Sequence, residues 1–274
     1  MKSNFLIASE IKDKFCYKAK EKGVEKNVRY FIFEDLLDTG ELLIGKKFEV
    51  NEFSFITYFL LKKSRNIFRK WDENYLGCFA GFKSGTEMLF EDFSFKIKDF
   101  SNFTLLTEAV EVKSGNIYLF TLTNICDLPR ALKWEVPVKV AIFADGVAEK
   151  VEEPTSPIED SYVIRLLKLA LKGHGKAINR LEKVLNIDNA SLLLKNIRRN
   201  PETFFKSAIL HISKDRYIII GRVVSSAAIN LNNQQLFSTI LETEGINLTI
   251  LLKNKISRGK RIKLTGQMVG YYCG

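Results

Sequence analysis

Histidine, tryptophan and glutamine are scarce in this sequence, with two His, two Trp and three Gln in 274 residues. The two histidines offer little for imidazole chemistry. His174 sits between Gly173 and Gly175, His211 follows an apolar run, and neither stands in a recognisable arrangement with Ser or Cys. Cys16, Cys78, Cys126 and Cys273 lie far apart and form no C-x-x-C pair, so neither a zinc site nor a disulfide framework is expected, and a reducing, cytoplasmic setting fits. No run approaches the ~20 apolar residues of a membrane span, so no membrane partner is expected. A secretory leader is not expected either, since Phe5-Leu6-Ile7-Ala8 is followed by Glu10 and Lys12. Gly173-His174-Gly175-Lys176 lacks the spacing and the preceding strand of a phosphate-cradling loop. No internal repeat or low-complexity segment is legible, and neither a cofactor nor a metal is implied.

What is present is apolar mass and positive charge. Hydrophobic residues make up 46% of the chain and include 21 Phe, enough for a real core. Lys and Arg number 42 against 32 Asp and Glu, a net charge of +10. That excess favours association with phosphate backbones and says nothing about fold.

The pattern along the chain predicts a mainly β protein with a helical connector. Residues 1–149 read as an N-terminal β-rich domain. Val28 to Phe33, Asn51 to Leu61, Tyr75 to Phe82 and Asn116 to Thr123 are β-branched and aromatic between Gly, Asn or Asp. Phe93 to Lys98 alternates apolar and polar, and Trp134 to Val140 does so with Pro137 pushing it towards a sheet edge. Residues 8–22 suit a short helix. The polar stretch 150–157, with Pro154 and Pro157, reads as a linker. Helices are predicted within 158–206. Ser156, Pro157 and Glu159 form a capping box, Val163 to Leu171 and Ala177 to Leu185 carry helical spacing, and Asp188 caps a third helix through Ile197. A short segment follows around Phe204-Phe205.

Residues 207–274 return to strands. In order come Ile220-Gly221-Arg222-Val223-Val224, Leu236 to Gly245, Ile246-Asn247-Leu248-Thr249-Ile250, and Gly259-Lys260-Arg261-Ile262-Lys263-Leu264-Thr265-Gly266. This ordered set resembles the OB-fold of nucleic-acid-binding proteins, of the replication protein A and anticodon-binding type. The resemblance implies a C-terminal OB-like β-barrel in which Gly221 lets the first strand bend. Lys253 to Gly259 is too short for the helix that family often carries, and little chain is left after Gly270 for a fifth strand.

Strand alternation puts Ile262 and Leu264 inward, with Arg261 and Lys263 outward. Arg222, Lys253, Lys255, Arg258 and Lys260 add to that basic face, and Tyr217, Phe237, Tyr271 and Tyr272 are the candidate base-stacking platforms. The reading is a non-catalytic binder of single-stranded DNA or RNA, of the kind used in replication or repair. Three alternatives use other residues. An interaction or structural subunit of a larger nucleoprotein assembly would dock through the Phe-rich N-terminal region. A metal-dependent nuclease would use Glu111 and Lys113, because Ala109 to Gly115 resembles the core of PD-(D/E)XK nucleases, with Asp92 or Asp99 as the earlier carboxylate. A charged β-hairpin would carry the same residues. A duplex binder would use Lys176 to Arg199, which looks like a helix-turn-helix presenting Lys195, Arg198 and Arg199.

Overall fold

The computed structural model describes residues 7, 9–64, 70–151, 161–199, 209–243 and 246–274. Helix α1 (Ser9–Lys22) carries Phe15 and Ala19 four residues apart, on one face. It packs that face on a sheet of β1 (Val24–Asn27), β2 (Glu41–Val50), β3 (Phe53–Lys63) and β4 (Trp71–Phe82), antiparallel and in that order. Cys16 on the helix is disulfide-bonded to Cys78 on β4, with their Cα atoms 6.0 Å apart. This corrects the expectation of unpaired cysteines. Helix-on-sheet packing brings the two together, and a sequence separation of 62 gives no hint of it.

Between β1 and β2 the run Val28 to Phe33, predicted as strand, instead ends in a single helical turn, α2 (Phe31–Glu34). Tyr30 and Phe33 both pack against Phe95, with ring centroids 5.3 and 5.0 Å away. Residues three apart share a side on a helix and oppose each other on a strand, so tertiary packing overrides β propensity here.

The other strands build the barrel. Before the helices come β5 (Thr86–Phe95), β6 (Leu106–Glu111), β7 (Ile117–Leu122), β8 (Val136–Ala144) and the short β9 (Glu149–Lys150). After the helices come β10 (Ile209–Ser213), β11 (Arg216–Leu231), β12 (Gln234–Thr243), β13 (Ile246–Leu252) and β14 (Arg261–Tyr272). The fold is mainly β, 50% strand against 21% helix, and contains a closed eight-strand barrel. Its ring runs β5-β6-β7-β14-β11-β12-β13-β8 and returns to β5. Strands β8 and β14 also pair with each other, from Met268 opposite Ile142 to Tyr272 opposite Val138. That ladder divides the ring into two circuits, β8-β5-β6-β7-β14 and β14-β11-β12-β13-β8.

The two quartets β5–β8 and β11–β14 are wired alike. In each, the first strand is antiparallel to the second and the fourth, and the second to the third. The third strand of each runs parallel to the fourth of the other. The fold is thus an internal repeat that no residue pattern discloses. The sequence predicts a barrel within 207–274, but the observed ring also takes in β5 to β8. The strand for which no chain remains after Gly270 is supplied from upstream by β8. Pro137, predicted at an edge, is the second residue of this shared strand, opposite Leu89. Near a strand start the missing N–H is tolerated, and the Pro137 carbonyl accepts the backbone N–H of Cys273.

Strand β11 passes so close to β12 that a Cβ on Gly221 would lie 2.6 Å from the Glu242 carbonyl oxygen. Helices α3 (Ser161–Leu171), α4 (Gly175–Leu185) and α5 (Ser191–Arg199) fill the predicted connector. They share one apolar cluster with Leu210, Ile212 and Ile218 of β10 and β11. The capping box at Ser156, most of the linker and Phe204-Phe205 lie outside the described residues. Just before those linker residues, β9 extends the line of β8 along β14, with Lys150 opposite Ile262.

Candidate nucleic-acid interface

The predicted cations gather at one end of the second quartet. Arg222 on β11 stands directly opposite Arg261 on β14. Cross-strand partners point to the same face, and like charges so placed repel. Lys263 lies two residues further along β14 on that outward face, flanked by Ile220 on one side and Glu149 of β9 on the other. The neighbours Ile262 and Leu264 are buried in the barrel core, as alternation predicts. Arg222 also has Glu242 opposite it on β12, but no carboxylate of a described residue comes within ion-pair distance of Arg222, Arg261 or Lys263. The Arg261 Nε–H is buried without a hydrogen-bond partner. Arg222 and Lys263 are exposed.

The loop joining β13 to β14 adds Lys253, Lys255, Arg258 and Lys260, all exposed. It is tied to the rim by the backbone, since Val223 N–H donates to the Lys260 carbonyl and Gly259 N–H to the Val223 carbonyl. Lys150 belongs with these lysines and escapes a reading of the sequence. It lies in the stretch that reads as linker, and only its long-range pairing with Ile262 places it beside them.

The aromatic candidates divide. Tyr217 is buried inside the barrel, where its hydroxyl accepts the backbone N–H of Leu119, and burial holds its pKa well above the ordinary value. Tyr271 is buried at the opposite end of β14, where the Lys47 ammonium donates to its hydroxyl and Glu49 accepts from it. Neither can stack on a base, which corrects the sequence reading. Inward alternation and tertiary cover claim both rings for the core. Tyr272 is half-buried against the core. Phe237 is half-exposed, opposite Leu252 of β13 and on the same face as that residue, close to the lysine-bearing loop.

The carboxylates of the nuclease reading do not form a metal cluster. Lys113 lies in the turn after β6, not on the strand. The Glu111 carboxylate is buried and accepts the backbone N–H groups of Lys113 (3.1 Å) and Ser114 (2.6 Å), closing the turn between β6 and β7. Asp99 accepts from Ser101 in an exposed bend. Asp92 sits at a positive φ of 53° in β5. Among the described residues no group of His, Cys, Asp and Glu is arranged to hold a metal.

Helix α5 is docked, not free. Leu192 packs on Val110 and Ile117, and the Asn196 side-chain amide clamps both backbone groups of Ile117 at 2.9 and 3.0 Å. Lys195, Arg198 and Arg199 remain exposed and line a recess with Asp92 and Glu108. His211 is structural, its Nε2 2.8 Å from the Lys214 carbonyl and its ring against Tyr217. Compared with known protein families and with curated proteins, the chain finds no match.

Proposed function

We propose that this protein binds single-stranded nucleic acid, without catalysis, across the rim of its second quartet. Residues Arg222, Arg258, Arg261 and Lys263 contact phosphates, with Lys253, Lys255 and Lys260 on the adjoining loop. Phe237, half-exposed on the inner face of β12 beside the loop, stacks a base turned inward from the outer face that holds the phosphates. The observation that carries the reading is the facing pair Arg222 and Arg261, cross-strand partners of like charge with no carboxylate of a described residue within ion-pair distance of either. A polyanion relieves that repulsion, and the release of its counterions supplies affinity. The circuit β14-β11-β12-β13-β8 has the strand number of an OB-like barrel, which supports the same reading.

Anisotropy titration of the full chain with a labelled oligothymidylate tests it. Binding should weaken with a log–log salt slope of about −0.7 per phosphate neutralised, and Arg222→Glu with Arg261→Glu should reduce affinity at least about tenfold. Salt-insensitive binding, or none, discards the proposal.

A further inference from the structure

The barrel mouth on the basic side opens into a cavity of about 460 Å³, within the range of small-molecule sites. It lies between the loop after β8 and the loop before β14. Lys150, Lys253, Lys255 and Lys260 line it, and the one carboxylate among its described lining residues, Asp145, is already paired with Arg216. Val147, Ala148, Leu252 and Ile256 give the wall an apolar part, and Asn254 and Ser257 add neutral polar groups.

The repeat shows how unusual this opening is. In the first quartet the corresponding loop, between β7 and β8, is pinned shut. Asn124 accepts the Tyr272 backbone N–H and donates to the Tyr272 carbonyl, and the Tyr58 hydroxyl donates to the Thr123 carbonyl. In the second quartet the same position is open and lined by cations.

Resting on the strand-binding reading above, we infer that this cavity is a nucleotide pocket that takes the terminally phosphorylated end of the strand. The phosphate lies among the four lysines and the base lies against Val147, Ala148 and Ile256. Charge decides in favour of an end. A phosphomonoester carries about −1.5 to −2 at neutral pH, whereas an internal phosphodiester carries one negative charge. Four lysines lining one recess match the former. The apolar wall gives the base a surface that a purely ionic site would lack.

The test compares three oligothymidylates of one length, bearing a 5′-phosphate, a 3′-phosphate or neither, bound to the full chain at one salt concentration. One phosphorylated form should bind about fivefold tighter than the unphosphorylated strand, and which form does so identifies the end. Thymidine monophosphate should compete better than inorganic phosphate. Lys150→Gln and, separately, Val147→Asp should abolish the gain, read within each variant as the ratio of its affinities for the phosphorylated and the unphosphorylated strand. Val147 is 80% exposed, so its replacement does not disturb the core.

Equal affinity for all three strands overturns the pocket and leaves the rim proposal standing. Inorganic phosphate competing as well as the nucleotide overturns the role of the apolar wall. If no strand binds, the rim proposal fails. The pocket then stands only if thymidine monophosphate binds and Val147→Asp prevents it, and falls otherwise.

Discussion

Ala141 and Val269 face each other across the β8–β14 ladder, and each also pairs with the third strand of the other half, Ala141 with Thr249 and Val269 with Thr121. The two halves are therefore interlocked. Neither circuit closes without a strand borrowed from the other, and the basic rim at one end of β14 is itself paired with an upstream strand, Lys263 standing opposite Glu149.

Gly221 marks where the rim strand comes closest to its neighbour. A side chain there would meet the Glu242 carbonyl and the Leu241 side chain, both within 3 Å. Gly221→Val should cost about 1–3 kcal/mol in urea unfolding, with Gly221→Ala costing less. Wild-type stability of the valine variant would refute the close approach.

The Cys16–Cys78 bond ties α1 to β4. Reducing it should lower stability by about 2–4 kcal/mol, and a Cys16→Ser, Cys78→Ser protein should show the same loss with no further response to reductant. Cys126 is buried and Cys273 exposed, both as free thiols, so neither contributes to the effect. Identical urea midpoints with and without reductant would show that the bond carries no stability.

Asp127 joins the N-terminal sheet to the barrel through Lys26 (2.6 Å), Lys47 (3.0 Å) and Asn124 (3.0 Å). Burial pushes its pKa up, but hydrogen bonds from Lys26, Asn124 and Lys47 outweigh it and hold the carboxyl below its ordinary 3.8. The unfolded chain thus binds the proton more readily than the folded one. The stabilisation is complete above the unfolded pKa of about 4 and is lost as pH falls through the lower folded value. Urea midpoints should drop as pH falls below about 4, and Asp127→Asn should be less stable at neutral pH with a shallower acid response. An unchanged acid response in that variant would assign the effect elsewhere.

Glu111 caps a turn, so Glu111→Ala leaves two backbone N–H groups without their acceptor. A cost of about 1–3 kcal/mol is expected, with Glu111→Gln recovering part of it. Mg²⁺-dependent cleavage that disappears in Glu111→Ala would instead establish a nuclease centre.

Periodicity made the local elements legible. β13, α4 and β3 come within two residues of their predicted spans, and the inward turn of Ile262 and Leu264 follows from alternation alone. The missed strand β2 mixes Lys, Glu and Gly among its apolar residues, which blurs the alternation. For the candidate site, the charged residues could be named from the sequence, but which aromatic rings reach solvent could not. Tyr217 and Tyr271 look identical to surface tyrosines until the barrel closes over one and β2 covers the other.

Composition and spacing by themselves determined that this chain is basic, mainly β, and broken by a run of helices, because those properties reside in side-chain chemistry and nearest neighbours. Only the folded chain decided that strands far apart share one barrel, that two distant cysteines bond, and that Lys150 joins Lys253, Lys255 and Lys260 around one cavity. Backbone pairing between strands is indifferent to sequence distance, so the partners are selected by the packing of the whole and leave no local trace.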